Sequence, residues 1–130
     1  MKKKKRILVV DDDLNIRNIL LARLGERDGH EVLLAENGEK ALGVVKAEQI
    51  DLIILDWMMP GISGLETLEA LKKDNNSSGI PVYMLTGKKV MNDIERAFSS
   101  GADGYFTKPI KATELSKRIM IALKNIEHEG

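Results

Sequence analysis

Five polar residues come directly after short apolar runs of the chain, and their types suit one kind of chemistry. Three are carboxylates (Asp11, Asp12 and Asp56), one is a hydroxyl (Thr86) and one is an ammonium (Lys108). Two negative charges about 4 Å apart repel by roughly 4 kcal/mol at an effective dielectric near 20, so clustered carboxylates either keep protons or recruit a cation. Oxygen ligands without histidine or cysteine favour a hard cation such as Mg²⁺. With a lysine and a hydroxyl donor added, they predict a site that holds phosphoryl oxygens and offers a carboxylate nucleophile.

The apolar runs are short, unbroken and rich in Val, Ile and Leu, which is typical of strands buried on both faces of a parallel sheet. The segments between them place apolar residues at helical spacing. The predicted elements, in chain order, are β1 6–10, α1 14–27, β2 31–35, α2 38–47, β3 51–55, α3 64–74, β4 80–85, α4 91–99, β5 104–107 and α5 112–126. Strict alternation of strand and helix predicts an α/β fold with right-handed crossovers. Because the carboxyl ends of parallel strands lie at one edge of a sheet, the five polar residues are expected to meet there.

Each of these residues has an ordinary structural interpretation when it is taken alone. The acidic run after β1 could cap the next helix, Asp56 and Thr86 could belong to turns, and Lys108 could lie in a surface loop. Their coincidence at one edge of the sheet favours a functional site.

The composition limits the class of protein. The chain has 130 residues, enough for one domain, and its 20 Lys and Arg balance its 20 Asp and Glu. This balance argues against a direct nucleic-acid partner, which normally requires a basic excess. The absence of cysteine excludes disulfides and thiolate metal sites, and no apolar run approaches the roughly 18 residues of a membrane span. We therefore expect a cytoplasmic protein without membrane insertion, whose basic segment 2–6 is solvated.

The chain resembles the receiver domain of two-component response regulators, and the CheY-like single-domain kind in particular. The motifs that carry the resemblance are Val9–Asp12, Leu55–Gly64, Met84–Gly87 and Gly101–Pro109. The resemblance implies a doubly wound five-stranded parallel sheet of order 2-1-3-4-5, with five helices on its two faces. On this basis residues 6–126 form the receiver domain, between a basic leader (1–5) and a polar tail (127–130).

The resemblance also implies how a phosphoryl group would be accepted. Asp56 is the phosphoacceptor, and Mg²⁺ is the cofactor. Asp12 would bind the ion directly, Asp11 mainly through a water on the ion, and Met58 through its backbone carbonyl, beside Asp56 itself. Lys108 would pair with a phosphoryl oxygen.

The resemblance further implies a switch. Thr86 would hydrogen-bond the phosphoryl group, and Tyr105 would turn inward as Thr86 moves. Met58 and Lys88 occupy the two positions that vary in the family and set the lifetime of the phosphoryl group. Since Met58 cannot orient an attacking water, we expect a fairly long-lived phosphorylated state.

The implied partners act at two places on the domain. The phosphodonor would be a sensor histidine kinase, a phosphotransfer protein or a small phosphodonor. The α4–β5–α5 face would bind a downstream target protein, form a phosphorylation-dependent dimer or serve a phosphorelay. Basic residues on this side are Lys89, Lys111, Lys117 and Arg118. Met1 and the short polar tail favour a stand-alone protein over a receiver cut from a longer regulator.

Two other classes of protein compete with this interpretation. A haloacid-dehalogenase-type phosphatase would use the Asp-x-Asp of the acidic run, with Asp11 as nucleophile and Thr86 and Lys108 as further motifs. That class needs an acidic pair on a strand after Lys108, which the sequence lacks, and it would leave Asp56 without a role. A nucleotide or flavin binder would need a glycine-rich phosphate loop, and neither G-x-G-x-x-G nor G-x-x-x-x-G-K-[ST] is present.

Overall fold

A five-stranded parallel sheet forms the centre of the molecule in the computed structural model. The structure describes residues 4–87 and 91–129, and side chains within those ranges except at 91–92 and 127–129. Lys88, Lys89 and the first three residues of the basic leader therefore lie outside the described residues. The strands are β1 (Arg6–Val10), β2 (Glu31–Ala35), β3 (Leu52–Asp56), β4 (Val82–Thr86) and β5 (Gly104–Thr107). The helices are α1 (Leu14–Leu20), continued by a π-helical segment (Leu21–Arg27), α2 (Gly38–Ala47), α3 (Gly64–Lys73), α4 (Met91–Ser99) and α5 (Ala112–Glu129).

The strand order is β2-β1-β3-β4-β5 and every pairing is parallel, which confirms the predicted doubly wound fold. In the register of the sheet, Val10 lies beside Leu55, and Asp56 lies beside Leu85. The order reverses direction between β1 and β3, so a crevice opens at their carboxyl ends. The two strands that lead into the acidic residues are therefore neighbours.

The sheet buries apolar side chains on both faces, as the unbroken runs predict. One layer contains Leu8, Val10, Ile53, Leu55 and Met84 together with residues of α2 and α3, while the opposite layer contains Ile7, Val9, Ile54, Leu85 and Phe106 together with residues of α1 and α5. Neighbouring residues of each strand thus enter opposite layers, because side chains alternate along a strand. None of the described helices is long and apolar enough to cross a membrane.

Side-chain caps fix where the first three helices begin. Asp13 accepts a hydrogen bond from the Asn15 amide at 2.8 Å, and Asn37 accepts one from the Lys40 amide at 2.8 Å. Ser63 begins α3 with a reciprocal capping box. Such caps satisfy amides that have no partner inside the helix. The predicted bounds of β1, β2, α2, α4 and β5 are confirmed, whereas β3, β4, α3 and α5 differ by one to three residues at an end.

The second half of the first helix winds as a π-helix, which the sequence prediction did not anticipate. Its extent, 14–27, is as predicted, but residues 21–27 are π-helical. The stripe Ile16, Leu20 and Leu24 repeats every four residues, and such a stripe drifts around an α-helix of 3.6 residues per turn. The wider π turn brings the stripe back, so both Leu20 and Leu24 are fully buried.

Replacing Gly64 should reveal the tightest backbone contact near the end of β3. A Cβ at Gly64 would lie 2.1 Å from the Asp56 carbonyl oxygen and 2.8 Å from the Trp57 Cα. We expect Gly64→Ala to lower the free energy of unfolding by about 3 kcal/mol, because backbone atoms must move to admit the methyl group. Gly43→Ala is the matched control: its Cβ would meet nothing within 4 Å in the middle of α2, so it should stabilise by about 0.5–1 kcal/mol. Urea unfolding curves of both variants measure this, and equal effects would contradict the packing argument.

Candidate functional site

The five predicted residues do lie at the carboxyl edge of the sheet. Asp56 and Thr86 are the last residues of β3 and β4, Asp11 and Asp12 follow β1 directly, and Lys108 follows β5. Lys108 crosses the edge to reach the acids. Its Nζ lies 3.1 Å from Asp11 Oδ2 and 3.2 Å from Asp56 Oδ1. A cis peptide bond joins Lys108 to Pro109.

The three carboxylates form one acidic cluster. Asp11, Asp12 and Asp56 each contribute an oxygen, and these oxygens lie within 4.8 Å of one another. Asp11 is fully buried and Asp56 is 3% exposed, whereas Asp12 is exposed. The amide of Asp13 donates to Asp11 Oδ1 at 2.9 Å, and the amide of Met58 approaches Asp56 Oδ1 at 3.4 Å. The cluster therefore joins two buried acids to one that faces solvent.

Asp11 Oδ2 is buried and accepts no hydrogen bond from the described residues. Lys108 Nζ is close enough to form an ion pair with it. A buried carboxylate oxygen that lacks a donor is costly, so it suits a ligand that supplies positive charge. An all-oxygen cluster with such an atom fits a hard divalent cation such as Mg²⁺.

Burial and charge shift the pKa of both members of the central ion pair. Burial, and after it the negative charge of Asp11, raise the pKa of Asp56 to about 6 against the opposing effect of Lys108. For Lys108, burial lowers the pKa, but the carboxylates of Asp56 and Asp11 outweigh it and leave the pKa raised. The site thus keeps a permanent cation facing an excess of negative charge.

Thr86 and Tyr105 line one small cavity. Thr86 is buried at the end of β4, and Tyr105 on β5 is half-buried with its ring edge-on to Phe98 at 6.1 Å between centroids. The cavity between them measures about 10 Å³, close to the space of a single water. The predicted switch residues are therefore neighbours, with little empty volume between them.

Trp57 follows Asp56 directly at the end of β3. Its side chain is half-buried, packs against the core and lines the same cavity as Thr86. The reason lies in the backbone. The Trp57 amide donates to the Leu85 carbonyl at 2.8 Å, and its carbonyl accepts from the Gly64 amide at 3.0 Å. These bonds continue the sheet one residue beyond β3 and hold the ring over the core. Met58, the next residue, is 74% exposed.

Two arginines support the site in ways that the sequence did not reveal. Arg17 donates from a guanidinium nitrogen to the Asp11 carbonyl at 2.8 Å. Arg118 donates to the Tyr105 carbonyl at 2.9 Å, and its guanidinium carbon lies 4.4 Å from the Phe106 ring centroid. Arg118 was predicted only as a charge on the partner-binding face. An arginine in helical spacing gives no sign of which backbone carbonyl it will reach.

Comparison with known proteins identifies the class that this fold and site define. The sequence model of the response regulator receiver domain matches residues 7–120, so the chain belongs to that family. It is a receiver domain of a two-component signalling protein and not an enzyme in the usual sense.

Individual relatives agree with this assignment. The chain is 42% identical over 120 residues to the phosphate regulon transcriptional regulatory protein PhoB of Pseudomonas aeruginosa, covering 92% of this chain and 52% of the relative. It thus spans about half the length of the curated relatives it matches. The structure of a CheY-like receiver domain protein from Methanospirillum hungatei superimposes with a TM-score of 0.91 at 32% identity, covering 98% of this chain and 100% of that one. Chemotaxis protein CheY4 of Vibrio cholerae gives 0.87 at 28% identity, with 92% and 99% covered.

Removing the charge of Asp56 should stabilise the metal-free protein at neutral pH. The folded-state pKa of about 6 lies above the ordinary value of 3.8, so ionised Asp56 disfavours the folded state above pH 6. We expect Asp56→Asn to raise the free energy of unfolding at pH 7 by about 1–3 kcal/mol, measured by urea unfolding with a chelator present.

The increase in the free energy of unfolding of Asp56→Asn should shrink as the pH falls from 6 toward 4, because the wild-type carboxyl becomes protonated in the folded state. Asp13→Asn is the control, since it removes a charge from the same acidic run and keeps a capping side chain. A loss of stability in Asp56→Asn at pH 7 would contradict the electrostatic argument.

Proposed function

We propose that this receiver domain accepts a phosphoryl group on Asp56 in a Mg²⁺-dependent reaction and then changes its binding surface. The observation that carries the proposal is the position of Lys108, whose ammonium bridges Asp11 and Asp56 at the crevice edge. The cluster that it faces combines buried acids with one exposed acid, so a phosphoryl donor could approach from solvent.

The chemical step is a transfer between a phosphohistidine and a carboxylate. An Asp56 carboxylate oxygen attacks phosphorus, a new P–O bond forms, and the P–N bond to the donor imidazole breaks. Asp56 must be ionised to attack, and its pKa of about 6 leaves it largely so at neutral pH. Lys108 would exchange part of its contact with Asp56 for a phosphoryl oxygen. A small phosphodonor could replace the phosphohistidine.

The acidic cluster would hold the cation that this reaction needs. Asp12, Asp11 and Asp56 are the carboxylates available, and the backbone carbonyl of Met58 is the proposed fourth ligand. When bound, Mg²⁺ supplies charge neutralisation for the carboxylates and the transferring phosphoryl group. Asp11 Oδ2, which is buried and accepts no hydrogen bond within the described part of the chain, supports this assignment.

Phosphorylation would stabilise a second conformation of the molecule. The Thr86 hydroxyl would move to a phosphoryl oxygen, and the Tyr105 ring would turn inward behind it. The cavity that these two residues share is small, so an inward turn of the ring must follow the departure of Thr86. Phosphorylation would thus shift an equilibrium between two conformations in which packing couples the positions of Thr86 and Tyr105.

The α4–β5–α5 face is the proposed output surface. A second cavity of about 380 Å³ opens there, lined by Tyr105, Lys111, Glu114 and Arg118 among others. Lys111 and Lys117 are exposed, whereas Arg118 is half-buried against Phe106 and is therefore less available to a partner. A downstream protein, a second phosphorylated copy or a phosphorelay partner would read the change in Tyr105. Direct nucleic-acid contact is not part of the proposal, and the sensor histidine kinase or phosphotransfer donor and the cytoplasmic location remain predictions.

The family assignment favours this function over the phosphatase alternative with Asp11 as nucleophile. The geometry argues in the same direction. Asp11 is fully buried, with Oδ1 bonded to the Asp13 amide and Oδ2 paired with Lys108. Asp11 is therefore better placed to support a cation beside Asp56 than to attack an external substrate.

Mass spectrometry of the intact protein tests the phosphoacceptor. After incubation with phosphoramidate or acetyl phosphate, the wild type should gain one phosphoryl group with Mg²⁺ and little without it. Asp56→Asn should gain none, and Asp13→Asn should behave as the wild type does. If the gain survives in Asp56→Asn, the phosphoacceptor is a different residue and the proposal is wrong.

The lifetime of the phosphorylated state should depend on Met58. Because this exposed side chain cannot orient water, we expect slow dephosphorylation in the wild type. Met58→Asn should shorten the half-life by roughly tenfold, equivalent to about 1.4 kcal/mol in the barrier. Met58→Leu is the apolar control and should leave it unchanged. Fast loss from the wild type that Met58→Asn does not accelerate would refute this expectation.

A further inference from the structure

A carboxylate on α2 accepts a hydrogen bond from the loop that follows Asp56. Glu39, in the first turn of α2, accepts a hydrogen bond from the Ile62 amide at 3.0 Å, across 23 residues of sequence. Gly61, beside it, has φ of 83°, a conformation that favours glycine. A Cβ at Gly61 would lie 2.9 Å from Glu39 Oε1 and 3.0 Å from Oε2. The carboxylate therefore occupies the space of the missing side chain and holds the amide next to it.

The start of α2, which carries Glu39, is capped and packs closely against α3. Asn37 caps α2, and Gly38 is buried where a Cβ would lie 2.2 Å from Thr67 Oγ1 and 2.6 Å from Ile62 Cγ1. No side chain fits between α2 and α3 at this point, so the two elements are in close contact. A carboxylate on the first turn of α2 also benefits from the helix dipole, which favours negative charge there.

The loop between β3 and α3 is thus fixed at its middle as well as at its ends. The Trp57 carbonyl accepts from the Gly64 amide, and Ser63 caps α3, so the loop closes on itself. The hydrogen bond from the Ile62 amide to Glu39 adds a further fixed point within the loop. Met58, the proposed carbonyl ligand, lies between the fixed end at Trp57 and the fixed segment at Gly61. The direction of the Met58 backbone carbonyl therefore depends on both of these fixed points.

We propose that Glu39 is a positioning residue for the cation site: it fixes the loop so that the Met58 carbonyl is presented to the acidic cluster, and α2 thereby sets the affinity for Mg²⁺. This inference rests on the proposed function. Glu39 touches neither the acids nor the ion, and it acts through the backbone. Groups that orient the ligands of a metal typically contribute 10–100-fold to its affinity.

Three substitutions of Glu39 distinguish the effect of its side-chain length from the effect of its charge. Glu39→Ala removes the acceptor, Glu39→Asp keeps the charge but shortens the side chain, and Glu39→Gln keeps an oxygen at the same reach without the charge. The readout is Mg²⁺ affinity, from the fluorescence of Trp57, the single tryptophan, and from titration calorimetry. Glu39→Ala and Glu39→Asp should raise the Kd by about tenfold, and Glu39→Gln should stay within about twofold of the wild type.

A second readout in the metal-free protein reports on the contact itself. Hydrogen exchange of the Ile62 amide should be faster in Glu39→Ala and Glu39→Asp and unchanged in Glu39→Gln. Thermal unfolding confirms that each variant is folded. Glu36→Ala is the matched control, because it removes a nearby exposed carboxylate that pairs with Lys40 and does not touch the loop. Its Kd for Mg²⁺ should be that of the wild type.

The outcomes distinguish this inference from the function on which it rests. If the wild type binds Mg²⁺ and Glu39→Ala binds it equally well, the positioning role is wrong and the proposed function stands. If Glu36→Ala weakens binding as much as Glu39→Ala, a long-range charge effect replaces positioning. If the wild type binds no Mg²⁺ by calorimetry, both the inference and the proposed cation site are wrong.

Discussion

The ammonium of Lys108 between two buried carboxylates is the interaction on which the site depends. Without a cation there, Asp11 and Asp56 would repel across a short distance while both are largely buried. The sheet order determines how this contact is made. β1 and β3 are adjacent and bring the acids together, while Lys108 follows β5 and must extend past β4 to reach them. A long, flexible side chain suits this distance.

The apolar core offsets the unfavourable electrostatic free energy of the buried carboxylates. Every residue of β3 is buried, and the strand ends in an acid whose pKa burial raises. The strands that flank it are also largely apolar, apart from Arg6 at the start of β1 and Thr86 at the end of β4. Stability generated in the two core layers therefore supports negative charges whose repulsion a bound cation would reduce. A site built this way has a reason to bind ligands, because binding removes a cost that folding leaves in place.

Much of this arrangement could be predicted from the sequence, for identifiable reasons. Strand and helix positions follow from local periodicity, and the meeting of Asp56 with Lys108 follows from the common direction of parallel strands. The strand order came from family resemblance, whereas the expectation of Mg²⁺ came from the oxygen-only ligands as well as from that resemblance. What could not be predicted depends on contacts between distant segments: the bond from Ile62 to Glu39, the burial of Trp57 and the packing of Arg118. The π winding after Leu20 was also not predicted, because over so few residues the drift of a four-residue stripe on an α-helix is too small to indicate a change of helix type.

Arg118 has a consequence for what a partner can sense. It holds the Tyr105 carbonyl at 2.9 Å, and the strand pairing with Met84 holds the same residue from the other side. The main chain of β5 is therefore clamped between a helix and its neighbouring strand at the residue whose ring borders the cavity. In the proposed switch, the Tyr105 ring would turn about a single side-chain bond while Arg118 keeps α5 bonded to the main chain of β5. The proposed signal at this surface is then a small change of shape, and a partner would have to recognise the position of a single side chain.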